Sequence, residues 1–353
     1  MTRWWVMLRL RQFIDRAGWP RIIIGLVLLS LFVVAPSVGV RIDASLMDTI
    51  VRFGMNGVMV LAMIPMVQAG CGLNFGLPLG IIAGLLGATM SIELGLTGVA
   101  GFAGAIGIAI PLACLFGWGY GVLLNHVKGD EMMIATYVGF SSVSFMSIMW
   151  MVLPYHSPTM IWGYSGQGLR TTISVDGFWS KILDNFLAVR IGPNFMIPTG
   201  TILFFALMAW LMWAFFHTKT GTAMTAVGSN PDYARASGIS VDRMRTTSVI
   251  LSTVYGAIGI LLYEQSYGFI SLYNGPFFMA LPAVAAILIG GASVNKANIT
   301  NVVIGTILFQ GILTMTPSVI NAAIHTDAAE VVRLIVSNGM IVYALTRATR
   351  KSR

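Results

Sequence analysis

Apolar residues occur in long runs along most of this chain, and short polar stretches separate the runs. A helix needs about 20 mostly apolar residues to cross the hydrocarbon core of a bilayer. The runs therefore predict about ten transmembrane helices, at 21–40, 49–69, 75–93, 98–124, 132–154, 196–216, 246–268, 273–290, 299–317 and 329–347. The apolar–polar alternation of a membrane β-barrel is absent, so we expect an all-α polytopic membrane protein.

Glycine and proline predict that several of these helices are broken. The expected breaks lie between the second and third spans and within the eighth. The residues responsible are Pro65, Gly70, Gly72, Gly76 and Pro78 in the first case, and Pro276 and Pro282 in the second. Glycines are also dense between positions 80 and 107, where they would let helix backbones approach closely within a bilayer.

Composition agrees with a membrane location. Apolar residues make up 56% of the chain, charged residues only 10%, and the mean hydropathy is +0.82. Soluble domains carry about 25% charged residues. The two cysteines, Cys71 and Cys114, lie in apolar stretches, and we expect them to be buried and unpaired.

Charge placement predicts the orientation. An even number of spans leaves both termini on one side, and the cytoplasmic side of a membrane protein collects lysine and arginine. With the termini inside, that side holds fifteen of the 21 basic residues: Arg3, Arg9, Arg11, Arg16, Arg21, Lys128, Lys219, Arg235, Arg243, Arg245, Lys296, Arg347, Arg350, Lys351 and Arg353. Spread over many short loops, these charges form no patch for nucleic acid.

This orientation defines the segments outside the spans. Residues 1–20 and 348–353 become basic cytoplasmic ends, residues 156–195 an external loop, and residues 217–245 a cytoplasmic loop. In the external loop, FWSKILDNFLAV at 178–189 predicts a short amphipathic helix at the membrane interface. It serves either as a packed lid or as a docking surface for an extracytoplasmic partner.

The cytoplasmic loop contains AVGSNPDYARASGISVDRMR, residues 226–245, which predicts a helix of two turns at 231–237. Asn230 can cap the first amides, Pro231 suits the first turn, and Asp232 favours the positive end of the helix dipole. Gly238 supplies the left-handed residue that ends such a helix.

A helix of two turns is not stable alone in water. It must therefore be held by the membrane domain or by a partner. Tyr233 and Arg235 would present an aromatic ring and a guanidinium group to another protein. The alternative is a loop helix without a function.

Residues 226–245 resemble the cytoplasmic loop of the membrane permeases of ribose-type ABC importers, the simple-sugar and branched-chain amino-acid permease family. Matching positions are Ala226, Gly228, Asn230, Ala234, Gly238, Ile239 and Val241. Three further segments are similar to the family in the same order: AGCGLNFGLPLGIIAGLLGA from Ala69, DEMMIATYVG from Asp130 and ALPAVAAILIGGASVNKANITNVVIGTIL from Ala280. The sequence LNFG at 73–76 looks closer to the nucleoside and branched-chain amino-acid branches than to the sugar permeases.

The resemblance implies a permease subunit in the inner membrane of a bacterium, with residues 21–347 as the transmembrane domain. Its partners would be separate cytoplasmic ATPase subunits that bind ATP and Mg²⁺, a second permease copy or a related chain, and an extracytoplasmic binding protein. This chain would bind no cofactor or metal and would not itself be an enzyme, in agreement with its lack of a G-x-x-x-x-G-K-[ST] phosphate loop. The implied ATPase-coupling residues are Gly228, Asn230, Pro231, Asp232, Tyr233, Ala234, Arg235, Gly238 and Ile239.

Uncharged polar residues within the spans are candidates for the solute pathway. They are Asn56, Gln68, Asn74, Thr136 and Gln310, together with Gln265, Asn274 and Asn338. Each either lines a path for a neutral hydroxylated solute, such as a sugar or nucleoside, or bonds helices to one another. Asn74 is the strongest candidate because it lies in a predicted break.

Two other classes of protein remain. An ion-coupled secondary transporter or channel would need buried carboxylates, but Glu93 and Glu264 are expected near outer span ends. The sequence Gly-Tyr-Ser-Gly at 163–166 matches intramembrane serine proteases, but Ser165 falls in the external loop and no histidine lies within a later span.

Overall fold

The computed structural model describes residues 19–162, 168–190, 196–324 and 329–351. The α-helices are α1 (Trp19–Val34), α2 (Ile42–Leu61), α3 (Met63–Gln68), α4 (Leu77–Glu93), α5 (Gly98–His126), α6 (Glu131–Val152), α7 (Ile182–Asn185), α8 (Thr199–Phe216), α9 (Lys219–Ser229), α10 (Pro231–Ala236), α11 (Val241–Tyr267), α12 (Gly275–Ile289), α13 (Ile299–Ile324) and α14 (Ala329–Lys351). The Gly-Tyr-Ser-Gly sequence at 163–166 and residues 1–18 lie outside the described residues.

The short strands form two antiparallel pairs. They are β1 (Thr172–Ser174), β2 (Val189–Arg190), β3 (Met196–Ile197) and β4 (Phe269–Ser271). β1 pairs with β4, with Ile173 opposite Ile270, and β2 pairs with β3. The first pair joins the 168–190 segment to the end of α11.

The prediction of an all-α polytopic membrane protein is confirmed. Within the described ranges, seven helical segments are long and apolar enough to cross a membrane: Arg21–Val38, Ile42–Gln68, Gly98–His126, Glu131–Val152, Thr199–Phe216, Val241–Tyr267 and Ile299–Ala323. The other three predicted spans, 75–93, 273–290 and 329–347, coincide with shorter apolar helices.

The predicted break between the second and third spans is present. α3 ends at Gln68, and the chain is not helical again until Leu77. Gly70 and Gly72 have φ angles of +74° and +76°, which glycine adopts without strain. Cys71 lies in this break and is a buried free thiol.

The predicted break within the eighth span is wrong, because α12 is continuous. Pro276 lies in its first turn, where an amide would have no partner inside the helix. Pro282 lies within the helix without ending it. A proline removes one backbone hydrogen bond, and neighbouring helices in a membrane bundle compensate for that loss.

α11 is the central helix and packs against α2, α3, α4 and α5. Glycines make this packing close, as predicted. A Cβ on Gly84 would lie 2.6 Å from the carbonyl oxygen of Ala257, and a Cβ on Gly87 would lie 2.4 Å from that of Ala105. Gly107, by contrast, faces open space.

Contacts between connecting segments define the two ends of the bundle. At one end, Lys128 pairs with Asp242 at 2.8 Å, and the Gln68 Nε2 donates to the Ala297 carbonyl at 2.6 Å. We call this the basic end. At the opposite end, the His156 amide donates to Glu93 at 2.9 Å, and the Lys181 amide donates to the Gln265 carbonyl at 2.7 Å.

The amphipathic helix predicted at 178–189 is wrong, because only Ile182–Asn185 is helical. The Trp179 ring is fully buried against Phe102, with ring centroids 6.0 Å apart. The backbone amides of Lys181 and Leu183 both bond to Gln265 rather than along a helix. The segment therefore packs onto the bundle as a lid.

Candidate functional site

The helix predicted at 231–237 is present as α10, which we call the knob helix. The Asn230 Oδ1 accepts from the amides of Asp232 at 3.1 Å and Tyr233 at 2.9 Å, which is the expected N-cap. Gly238 has a φ of +82°, and the Ile239 amide donates to the Ala234 carbonyl at 2.9 Å. This geometry closes the helix as a Schellman motif.

The knob helix has one buried side and one exposed side. Ala234 is fully buried and packs with Val227 of α9 and Val241 of α11. Tyr233 is 70% exposed. Arg235 is also exposed and pairs with Asp232 at 3.3 Å. The helix is thus fixed to the bundle from within, and its aromatic and basic side chains face outward.

The helix α9 precedes the knob helix and was not predicted. It fixes the knob helix to the broken segment of the membrane domain. A Cβ on Gly228 would lie 2.1 Å from the carbonyl oxygen of Gln68 and 2.9 Å from the amide nitrogen of Gly70. The two backbones therefore touch at Gly228, and only a glycine allows that distance.

The start of α11 is bonded to its neighbours. Arg245 and Glu131 form an ion pair whose side chains are only 11% and 16% exposed. The Asn125 Nδ2 donates to the Asp242 carbonyl at 2.9 Å. These bonds connect the residues that follow the knob helix to α5 and α6.

Near the opposite end, the helices line a partly open cavity of about 570 Å³. Tyr267 and Ser271 line it at and just beyond the end of α11, while Asn56 of α2 and Gln310 of α13 line it from within the bundle helices. Its polar lining side chains come from five different segments. They include Arg52, Asn56, Glu264, Asn274, Gln310 and Arg333.

Glu264 differs from the other lining residues. Its side chain is 1% exposed, and neither carboxylate oxygen has a hydrogen-bond partner among the described residues. The next residue, Gln265, points into a separate network, where its Nε2 donates to Ser266 Oγ at 2.6 Å and to Asp184 Oδ1 at 3.3 Å. Tyr263 and Tyr267, which also line the cavity, stack on each other with ring centroids 5.4 Å apart.

The cavity brings together some of the predicted pathway residues. Asn56, Asn274 and Gln310 line it. Gln68 lies at the basic end on the Ala297 carbonyl, and Thr136 Oγ1 donates to the Met132 carbonyl at 2.9 Å within its own helix. The pathway role of these last two stays a prediction.

Asn74 lies outside the cavity lining and is fully buried. Its Nδ2 donates to Ser252 Oγ at 2.7 Å, and its Oδ1 accepts from Tyr120 at 3.3 Å. These bonds tie the broken segment to α11 and α5. Such contacts are those of a residue that holds helices together, and a role in the pathway stays a prediction.

We expect Asn74→Leu to lower the stability of the folded protein. Leucine would leave the Tyr120 hydroxyl without its acceptor in a buried site, at a cost of about 1–3 kcal/mol. The melting temperature of the purified protein measures this effect. Asn56→Leu is the matched control, because the one hydrogen bond of the Asn56 side chain among the described residues goes to the Arg52 carbonyl in its own helix. Equal melting temperatures for both variants would contradict the expectation.

Sequence reasoning missed the charged part of the cavity. Arg52, Glu264 and Arg333 lie near the ends of their spans, where charged residues are ordinary. The sequence of α11 does contain a signal for its cavity-lining face. The spacing of Ile260, Tyr263, Glu264 and Tyr267 is that of one face of a helix. The described residues contain no group of three or more His, Cys, Asp or Glu side chains that could hold a metal ion.

The apolar helices make this chain a multi-pass membrane protein, and its family makes it one of the transport class. The chain belongs to the family described as branched-chain amino acid transport system / permease component, which matches residues 45–345. No solved structure matches the chain significantly.

Individual relatives are import permeases. The galactose/methyl galactoside import permease protein MglC of Salmonella typhimurium is 30% identical over 151 residues, which cover 41% of this chain and 42% of the relative. The autoinducer 2 import system permease protein LsrC of an Enterobacter species is 24% identical, covering 69% and 67%. The nucleoside ABC transporter permease protein NupC of Lactococcus lactis is 29% identical, covering 56% and 62%. The chain spans only 31%, 42% and 33% of the three galactose relatives that it matches.

Proposed function

We propose that this chain is the permease subunit of an ABC importer that carries a small neutral polar solute, a sugar or a nucleoside. The observation that carries the proposal is the course of α11. This helix begins beside the knob helix at Val241 and reaches the cavity at Glu264 without interruption. The single helix α11 thus joins the exposed side of the knob helix to the cavity.

The knob helix would bind a separate cytoplasmic ATPase, which supplies the ATP and Mg²⁺ sites. The proposal therefore places the basic end and both termini in the cytoplasm and the 156–195 loop outside the cell, in the inner membrane of a bacterium. Residues 21–347 would be the membrane domain of this chain. A second permease would pair with that domain to complete the solute path, and an extracytoplasmic binding protein would deliver the solute. Two relatives are named as an import permease and as an ABC transporter permease, which supports these partners.

The coupling follows from packing. Closure of the ATPase would move the knob helix, and Ala234 and Val241 would pass that movement to α11 through their buried contact. ATP drives such a change only if it binds one conformation more tightly than the other. Linkage between two sites of this kind amounts to about 1–3 kcal/mol.

The knob helix can be tested by changing its exposed face. We expect Tyr233→Ala and Arg235→Glu to reduce ATP-driven uptake about tenfold or more, because exposed tyrosine and arginine side chains dominate protein contacts. Uptake of radiolabelled D-galactose, D-ribose and adenosine by the whole importer measures this effect. The melting temperature should not change, since both side chains are exposed.

Lys296→Glu is the matched control, because it reverses an exposed basic charge at the same end of the bundle but outside the knob helix. It should leave uptake at the wild-type level. Wild-type uptake in both knob variants would refute the proposed ATPase contact.

Glu264 favours one alternative function, an ion-coupled secondary transporter, because buried carboxylates in membrane proteins commonly carry protons or ions. Proteoliposomes that contain only this chain distinguish the two functions. The proposal predicts no uptake of the three solutes when a proton gradient is imposed without ATPase subunits. Uptake under that condition would show that this chain is a secondary transporter and not the permease subunit of an ABC importer.

A further inference from the structure

The helix α14 carries a polar side chain on its outer surface, where the other exposed side chains are mostly apolar. Asn338 lies in the middle of the apolar segment Val331–Thr346, and it is exposed. Its side-chain amide forms no hydrogen bond with any residue that the structure describes. The Asn56 amide, by comparison, donates to the Arg52 carbonyl one turn back along its own helix. The Asn338 amide is therefore available to a group outside this chain.

A bilayer offers this amide no partner. Hydrocarbon neither donates nor accepts hydrogen bonds, so an unpaired amide in the middle of a membrane has a large cost in free energy. Asparagine side chains of membrane helices therefore bond to a neighbouring helix. The neighbours of α14 within this chain, α12 and α13, lie on its other side. The partner of Asn338 must then come from another chain.

The residues around Asn338 form one stripe along α14. Val331, Ile335, Asn338 and Val342 follow the i, i+4, i+7 spacing of a single helix face, and all four are exposed. A single asparagine within an otherwise apolar stripe is the pattern that fixes the register between two packed helices. The stripe therefore has the composition of a helix–helix contact and not of a surface that meets only lipid.

The partly open cavity has its opening beside this stripe. Phe278 of α12 and Leu334 of α14 both line the cavity, yet their side chains are 64% and 44% exposed. Leu334 directly precedes Ile335 of the stripe, so a helix that packs on the stripe would also cover this opening. The wall of the cavity is thus incomplete in a single chain.

We propose that the stripe on α14 is the contact between two copies of this chain, in which the Asn338 side chains of the two copies bond to each other. Both copies insert into the membrane in the same orientation, so a two-fold axis along the membrane normal brings equal positions together. A carboxamide both donates and accepts, and two asparagines can therefore satisfy each other. An apolar stripe with one central asparagine complements itself, as such a symmetric contact requires.

This inference rests on the proposed function for the need of a second permease, and it makes that proposal more specific. The second permease is the same chain and not a related one. It covers the opening between Phe278 and Leu334, so that the two copies together complete the wall of the cavity.

A cysteine at position 338 tests the contact directly. Two cysteines form a disulfide only when their Cα atoms lie within about 7 Å of each other. The variant is Asn338→Cys in a chain whose Cys71 and Cys114 are replaced by alanine. We expect a disulfide-linked dimer when membranes that contain the complete importer are oxidised with copper phenanthroline. On a non-reducing gel this product should have twice the mass of the chain.

Leu207→Cys in the same background is the matched control, because Leu207 is also exposed in the middle of an apolar helix, α8. It should remain monomeric. A monomeric Asn338→Cys product would show that the stripe faces lipid and overturn the inference, as would equal amounts of dimer from both variants. A linked product of another mass would assign the contact to a different chain and would also overturn it.

Association between purified copies provides a second readout. We expect Asn338→Leu to weaken their association about 3- to 30-fold, the range for a hydrogen bond between membrane helices. Energy transfer between fluorescently labelled copies in liposomes, followed as lipid is added, measures this change. Asn338→Gln keeps the amide and should retain most of the association. Unchanged association in Asn338→Leu would contradict the paired asparagines.

The proposed function fails separately from this contact. Neither cross-linking nor energy transfer requires ATP hydrolysis or uptake. A wild-type complex whose ATP hydrolysis is not stimulated by binding protein and solute would contradict the proposed importer, whatever the cross-linking result. A monomeric Asn338→Cys variant in an importer with normal uptake would contradict only the contact through α14.

Discussion

Gly228→Ala is expected to reduce ATP-driven uptake about tenfold or more while leaving the cavity intact. The new Cβ would lie 2.1 Å from the Gln68 carbonyl oxygen and 2.9 Å from the Gly70 amide nitrogen. Both are backbone atoms and cannot rotate away, so α9 must move off the broken segment. Overpacking of this kind costs about 1–3 kcal/mol. The expected result is a knob helix that still forms but no longer transmits movement to the bundle.

Uptake of D-galactose, D-ribose and adenosine, together with solute-stimulated ATP hydrolysis, measures this loss. Gly119→Ala is the matched control, because no neighbouring atom lies within 4 Å of its added Cβ. It adds the same methyl group to α5 with no contact to displace. Wild-type uptake in Gly228→Ala would show that the close contact between α9 and the break has no part in coupling.

Gly305→Ala is expected to cause a large loss of stability. A Cβ at this position would lie 1.9 Å from the Ala286 carbonyl oxygen, and one on Gly290 would lie 1.8 Å from that of Asn301. The backbones of α12 and α13 therefore touch at two successive points. The Asn301 Nδ2 also donates to the Gly290 carbonyl at 2.7 Å, which fixes the crossing.

An added methyl group must push the two helices apart. The expected destabilisation is about 1–3 kcal/mol or more, visible as a lower melting temperature and a lower yield of folded protein. Uptake should fall as well, because Pro282 of α12 and Gln310 of α13 both line the cavity. Gly339→Ala on α14 is the control, with no atom within 4 Å of its Cβ. Equal melting temperatures for the two variants would contradict the close crossing.

The features that depend on local sequence could be predicted. Long apolar runs identify helices because the bilayer requires their length. The knob helix is bounded by the Asn230 cap and the left-handed Gly238, two signals within nine residues of each other. The helix α9 has only one such signal, the Thr218 cap, whose side chain accepts from the Gly221 amide at 3.2 Å, and its sequence KTGTAMTAVGS contains two glycines and three threonines. Its stability comes from packing on the broken segment, which its own sequence does not encode.

The cavity could not be predicted for a different reason. Arg52, Glu264 and Arg333 are far apart in sequence, and only the packing of α2, α11 and α14 brings them to one space. Read singly, each is a charged residue near the end of a span. Asn74 is a different case, because the break between α3 and α4 in which it lies was correctly predicted. Whether its amide faces a solute depends on Ser252 and Tyr120, which belong to other helices.

Because α11 is unbroken, a tilt at one end of this helix displaces its other end. At about 1.5 Å of rise per residue, roughly 34 Å of helix separates Val241 from Glu264. A tilt of about 5° at the knob end would therefore displace the cavity end of the helix by about 3 Å. Because α11 is one uninterrupted helix, a movement of the knob helix would change the lining of the cavity directly, without any relay of side chains between them.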